Sequence, residues 1–317
     1  MVQANIYRQP DPADPVLDEA TVLRFARRHL PSASAVTAVD ETGGEARAYV
    51  IDEQYIFKTQ RQHRVRTSTS IEKAAFHQQV IAKEAPEVTV PRVLGYGRDG
   101  DIEYVLETRV PGVAVRNVVL EGQARWSVLF DLGRALRRIH GVDLAPFEAS
   151  GLFPGDKDGM AVRNRIESSL HRSMAAITAQ PEIWPLAISP ETAVTKALQS
   201  VTDESRTALH SNPGPEHVFV DPVSFQFQGV IDFGDAYISH PTFDMRRWSS
   251  PDDRAALIQG YGSEAEIDDS FLATRRAVIV AGLMAIIAGL GPGASAMRPE
   301  RRKAALDDLP SSLAELY

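Results

Sequence analysis

Lys58 closes a short apolar run, Tyr55-Ile56-Phe57-Lys58, and Glu72 follows it by 14 residues at the start of a helical pattern. Far along the chain, Asp232 ends a second apolar run, Gly229-Val230-Ile231, and is followed by Phe233-Gly234. The polar stretch His210-Ser211-Asn212-Pro213-Gly214-Pro215-Glu216-His217 precedes that run. Between residues 203 and 244 stand seven acids (Asp203, Glu204, Glu216, Asp221, Asp232, Asp235, Asp244) against one base, Arg206. Crowded carboxylates repel one another unless they are solvated or share cations, and oxygen ligands suit magnesium. An ammonium such as Lys58 is a compact charge that neutralises phosphates, and a carboxylate such as Glu72 can hold it extended. A lysine, its carboxylate and an acid-bearing hairpin are parts that phosphoryl transfer requires. Lysines at strand ends and glutamates in first helical turns also serve solubility and the helix dipole. The pair therefore draws its meaning from its place ahead of the acidic hairpin.

The elements around these residues follow from periodicity. Pro10, Pro12 and Pro15 make an irregular lead-in, and apolar residues from Leu17 to Leu30 at helical spacing predict a helix ending near Pro31. Runs at 35–39, 46–51 and 55–58, separated by turn residues, predict an antiparallel meander. A helix is expected over 70–84 with Ser70 as its N-cap, then strands over 92–96 and 102–108. After Val110-Pro111-Gly112 the pattern turns helical: 123–140, 159–179, 190–204, 251–262 and 266–291, interrupted by a hairpin with strands at Val218–Val220 and Gly229–Ile231. The fold class is α+β, a small five-stranded antiparallel lobe over 1–110 and a larger, mainly helical lobe over 111–317. Leu129, Leu132, Leu136 and Ile139 form one helical face, which makes that helix scaffold and His140 a helix-end residue rather than a ligand.

Composition narrows the function classes. The chain has 317 residues, mean hydropathy −0.19 and net charge −8, without the basic footprint of a nucleic-acid binder. With no cysteine it can form no disulfide, thiolate metal site or cysteine nucleophile. The first residues lack the basic-then-apolar pattern of a signal peptide. The apolar run Ala277 to Leu290 is short for a membrane span and reads as a buried helix. The expected setting is the cytoplasm, with neither membrane nor nucleic acid as partner.

The order Lys58, Glu72, polar loop, Asp232-Phe233-Gly234 resembles the aminoglycoside phosphotransferase family, small-molecule kinases with a protein-kinase-like two-lobed fold. The resemblance implies an ATP- or GTP-dependent transfer of a γ-phosphoryl group to a hydroxyl of a small polar acceptor, such as an aminoglycoside or another antibiotic, with Mg2+ as cofactor. It implies that Lys58 and Glu72 form the nucleotide-side ion pair, and that the Thr108 carbonyl and Val110 amide meet the adenine. Asp232 falls on the metal-binding acid, and Asp244 on a buried acid that braces the loop. His210 matches the leading histidine of the loop pattern H-x-D-x-x-x-x-N. Asn212 stands where that pattern has its base Asp, and His217 where it has its metal-binding Asn. An amide orients a hydroxyl but takes no proton at neutral pH, while a neutral imidazole can ligate a divalent ion. Glu216 is a further ligand or base candidate, and Asp235 an acceptor-side acid or a turn cap. A second reading, a kinase-like binding protein impaired in catalysis, stays open because of Asn212. The turn Thr42-Gly43-Gly44-Glu45 is placed to touch phosphates without matching G-x-G-x-x-G. The basic loop Gln60 to Ser70 reads as a solvated connection, and the helices over 159–205, with Arg163, Arg165, Glu167 and His171, as a wall of the acceptor pocket.

Overall fold

Alternating apolar residues and short turns in the first third of the chain produce one antiparallel sheet. In the computed structural model, which describes residues 16–40, 45–61, 70–290 and 299–316, it comprises β1 (Val36–Asp40), β2 (Ala46–Ile51), β3 (Tyr55–Gln60), β4 (Val93–Asp99) and β5 (Ile102–Thr108), in the order β1-β2-β3-β5-β4. The glycine turn 42–45 and the basic loop 60–70 fall largely outside the described residues. Along β2, Arg47, Tyr49 and Ile51 are buried while their neighbours are half-exposed, the period-2 signature of a sheet covered on one face. That face carries Tyr49, Phe57 and Tyr104, against which α1 (Glu19–Ala26) packs Val22, Leu23, Phe25 and Ala26. Phe25 and Phe57 each lie 5.1 Å from the Tyr104 ring, both in stacked geometry. The helix is shorter than its apolar spacing suggested and stops at Ala26.

The opposite face receives α2 (Ile71–Glu84). Ser70 caps it as expected, its hydroxyl accepting from the Lys73 amide at 3.2 Å. Ile71 and Ala75 pack on Val105 of β5. Toward its C-terminus the helix changes allegiance: Ile81, together with Ala85, Val88 and Val90 just past the helix end, belongs to the core that also holds Val218, Val220 and Val230. The helix thus bridges the sheet and the region that carries Asp232.

The helical lobe contains α3 (Gly122–His140), α4 (Ala145–Ser150), α5 (Gly159–Thr178), α6 (Pro190–Gln199), α7 (Pro251–Glu264), α8 (Asp269–Ile287) and α9 (Pro299–Ala314). Helices α3 and α7 meet backbone to backbone. A Cβ on Gly133 would lie 2.1 Å from the Leu257 carbonyl oxygen, and one on Gly260 would lie 1.9 Å from that of Phe130. Only glycine permits that approach. A second core joins α5, α6, α8 and α9. Helix α8 contains most of the long apolar run; by length and composition it could cross a membrane, but half of that stretch is buried in this core. Helix α9 was not legible in the sequence: its charged residues and internal Pro310 hide the buried stripe Ala305, Leu309, Leu313.

The core shared by α3 and α7 also holds a hairpin of two short strands, Val218–Val220 and Phe227–Val230. Residues Val113–Ala114 add a third short strand to it, pairing with Val220 and Phe219. Gly112, at φ +87°, makes the turn into that strand, and a Cβ there would lie 2.2 Å from the Val220 carbonyl oxygen. A separate two-stranded pair, Thr207–Leu209 with Tyr237–Ser239, delivers the chain to His210.

Candidate active site

The ion pair in the sheet forms with a partner other than the one expected. Lys58 Nζ lies 2.6 Å from Glu107 Oε1, and the Glu107 side chain is 3 % exposed. Lys58 sits opposite Val105, and Glu107 is two residues beyond on the same strand, hence on the same face at the diagonal position. Gln78 Nε2 of α2 donates to Glu107 Oε2 at 3.1 Å, so the helix reaches the lysine through Gln78 and Glu107. Glu72 does not take part: it pairs at 3.4 Å with Arg98 at the surface. Six residues separate it from Gln78, about 9 Å along the axis and about 240° around it, so the two cannot face the same strand. Burial alone would lower the Lys58 pKa; the charges of Glu107 and Asp232 outweigh it and raise it above the ordinary lysine value.

The base of the loop is held from below. Asp244 is fully buried and accepts hydrogen bonds from the amides of His210 (2.8 Å) and Ser211 (2.6 Å). It also lies 2.9 Å from His140 Nε2, whose Nδ1 is 3.2 Å from the Tyr261 hydroxyl. His140 is therefore part of the brace, as the end of a scaffold helix can be. His210 Nε2 donates to the Ile231 carbonyl at 2.9 Å, and its Nδ1 accepts from the Asn212 amide at 3.3 Å. Burial keeps the His210 pKa below the usual histidine range, in keeping with this neutral, doubly bonded ring. The indole of Trp248 donates to the Pro213 carbonyl at 2.8 Å and anchors the stiff Pro-Gly-Pro segment.

At the tip the side chains meet the cleft. His217 Nδ1 is 2.8 Å from the Asn212 carbonyl oxygen, and its Nε2 is 3.3 Å from Asp232 Oδ2. Asp232 (φ 71°) and Ser211 (φ 82°) both adopt left-handed conformations unusual for residues with a Cβ, a strain of about 1–3 kcal/mol each that clusters at functional sites. Desolvation in the cleft would raise the Asp232 pKa, but His217, Lys58 and His210 together bring it below the ordinary carboxylate range. Lys58 and Asp232 thus each favour the charged form of the other. Glu216 pairs with Arg247 at 3.2 Å, which occupies the carboxylate considered as a further ligand or base.

Phe233 is fully buried between the His210 ring at 4.5 Å and the His77 ring of α2 at 4.9 Å. His77, packed also on Phe147 and Phe153, carries no hydrogen bond on either nitrogen, and burial pushes its pKa well below the usual range. The sequence did not mark it; its only signal is a place on the buried face of α2 near Gln78 and Ile81. At the junction of the lobes, Thr108 exchanges bonds with Arg92 and the Arg109 amide donates to the Gln54 carbonyl. These bonds use neither the Thr108 carbonyl nor the Val110 amide assigned to the adenine. On α5, Arg163 is spent on the Val201 and Leu198 carbonyls and Arg165 on Asp156, whereas Glu167 and His171 pair at the surface.

Among the described residues no group of three or more histidines and acids converges on one point. Asp232 and His217 offer two donor atoms, Oδ2 and Nε2, a number that suits a divalent ion completed by substrate phosphates. Two neighbouring ligands of an octahedral ion at about 2.1 Å stand about 3 Å apart, close to the 3.3 Å observed. The pair fits such an ion.

A sequence model described as a phosphotransferase enzyme family matches residues 39–273. Among solved structures, the GDP complex of aminoglycoside 2'-phosphotransferase-IIIa is similar at TM-score 0.58 and 16 % identity, covering 95 % of this chain and 100 % of that one. Macrolide 2'-phosphotransferase MphH from Brachybacterium faecium is similar at TM-score 0.57 and 18 % identity, over 92 % and 97 %. A streptomycin–ATP complex of APH(2")-IIa is similar at TM-score 0.54 and 13 % identity, over 95 % and 99 %. At these identities the likeness is one of fold, the two-lobed kinase-like architecture. No curated protein matches the chain.

Proposed function

The chain belongs to the phosphotransferase enzyme family, and from that premise we propose that it transfers the γ-phosphoryl group of ATP or GTP to a hydroxyl of a small polar acceptor, of the aminoglycoside, macrolide or related antibiotic kind. The sheet lobe, 1–110, takes the nucleotide, and the helical lobe, 111–317, takes the acceptor. Its partners are small molecules, and its setting is the cytoplasm. The observation that carries this reading is the pairing of Lys58 with the buried Glu107 in the sheet and of His217 with Asp232 at the end of the hairpin, with Lys58 and Asp232 each shifting the titration of the other.

Each residue then has a task. Lys58, held by Glu107, neutralises the phosphates. The Thr108 carbonyl and Val110 amide receive the adenine edge. Asp232 and His217 would hold the divalent cation, magnesium by family resemblance, which when bound would offset charge on the transferred group. His210, fastened to Asp244 and Ile231, keeps the loop in register. Asn212 orients the acceptor hydroxyl but cannot take its proton. The transition state of such transfers is loose, so positioning and charge neutralisation carry most of the catalysis. The hydroxyl proton leaves late, to water or a phosphoryl oxygen. The rate forgone without a base is about 10²–10⁴-fold.

The test is calorimetric titration of ATP and GTP with magnesium, followed by a screen of acceptors with labelled nucleotide on this chain and on Asn212→Asp. Cation-dependent nucleotide binding is expected, with transfer rising about 10²–10⁴-fold in Asn212→Asp. Absence of nucleotide binding would sink the proposal. Transfer by Asn212→Asp alone would favour the second reading, a binding protein impaired at Asn212.

A further inference from the structure

His217 is locked in one tautomer. Its Nδ1 lies 2.8 Å from the Asn212 carbonyl oxygen, a group that can only accept, so Nδ1 carries the proton and the lone pair of the neutral ring belongs to Nε2. The Asn212 carbonyl is itself held by the Gly214 amide at 2.8 Å, and the His217 carbonyl by the Ile231 amide at 2.9 Å. Both ends of the ring's mounting are thus tied to the backbone. Nε2 is 3.3 Å from Asp232 Oδ2, and the side chains are 18 % and 54 % exposed, one packed and one open to solvent.

An imidazole nitrogen discriminates among ions. Magnesium wants oxygen in a tight octahedron, whereas softer divalent ions accept nitrogen more readily. The remaining ligands, a carboxylate and substrate phosphates, call for an ion that is still six-coordinate and oxygen-tolerant. Manganese and cobalt meet both demands. Resting on the phosphotransferase reading of Asp232 and His217, we propose that this cleft prefers Mn2+ or Co2+ to Mg2+, and that His217 Nε2 sets the preference.

The test reads the metal rather than turnover. Mn2+ is bound to the full chain in the presence of ADP or GDP, and electron spin-echo spectroscopy detects coupling to an imidazole nitrogen. Magnesium competition is then compared between the natural chain and His217→Asn, whose amide can still donate to the Asn212 carbonyl and offers an oxygen in place of Nε2. Thermal melts verify that the variant is folded. The expected result is nitrogen coupling in the natural chain, its loss in His217→Asn, and displacement of Mn2+ by Mg2+ made about tenfold easier in the variant. If bound Mn2+ depends on Asp232, being lost in Asp232→Asn, yet shows no nitrogen coupling and an unchanged competition ratio, the preference is overturned while the phosphotransferase reading stands. If the protein adds nothing to Mn2+ binding by the nucleotide alone, the metal-holding pair itself is overturned.

Discussion

At the base of the 210–217 loop His210 and Asp244 are fully buried, and Asp244 serves two backbone amides and His140. At its tip Asn212 and His217 are half-buried, and the Asp232 side chain that His217 approaches is more than half exposed. The resemblance to the family loop follows the same division. His210 and Asp244 match the pattern, and Asn212 and His217 depart from it. The physical reason lies in what each change would cost. A buried acceptor with three donors leaves all three unsatisfied when it is removed, whereas a side chain facing a cleft exchanges one set of solvent and ligand contacts for another. The base is constrained by folding and the tip by chemistry, so the tip is where chemistry can diverge. The two carboxylates weighed as partners of Lys58 repeat the contrast, Glu107 being buried and bonded twice and Glu72 lying at the surface.

The contrast can be broken by mutation. Asp244→Ala should cost the most, about 3–5 kcal/mol in urea unfolding, since it strands the His210 and Ser211 amides and removes the partner of His140. A loss under about 1 kcal/mol would mean that the loop is held elsewhere. Glu107→Ala should come next, at about 2–4 kcal/mol with weakened nucleotide binding, because Lys58 loses a buried counter-charge. The matching Glu72→Ala should stay within about 0.5 kcal/mol and leave nucleotide affinity unchanged. Equal effects of the two would return Glu72 to the site. Equally small should be the stability changes of Asn212→Asp and His217→Asn, within about 0.5 kcal/mol by the same unfolding assay, although both alter the chemistry of the site.

Much of the fold was legible because it is local. Alternation and turn residues marked the meander, and Ser70 ahead of an apolar stripe marked the start of α2. The Asp-Phe-Gly hairpin and the loop ahead of it could be read from residue order, while the bracing place of Asp244 came from the family resemblance and agrees with its bonds to the His210 and Ser211 amides. Glu107 could not. It stands 49 residues from Lys58, and its role follows from a strand register that composition does not reveal, although a charge in the buried run Val105-Leu106-Glu107 was a hint. His77 was missed because an apolar-packed histidine looks in sequence like any polar residue on a half-buried helix.

The sequence by itself determined the order of the parts: a lysine-ended strand, a bridging helix, and a loop whose tip reads Asn212 and His217 with Asp232 beyond. Tertiary structure decided which of those parts touch. The rotation of α2 turned Glu72 toward Arg98 and Gln78 toward Glu107, and strand register brought Glu107 onto Lys58. Backbone carbonyls decided the rest, since the bond from His217 Nδ1 to Asn212 leaves Nε2 facing Asp232. Residue types set what each group can do, but partnership depends on direction and distance, which only the folded chain supplies.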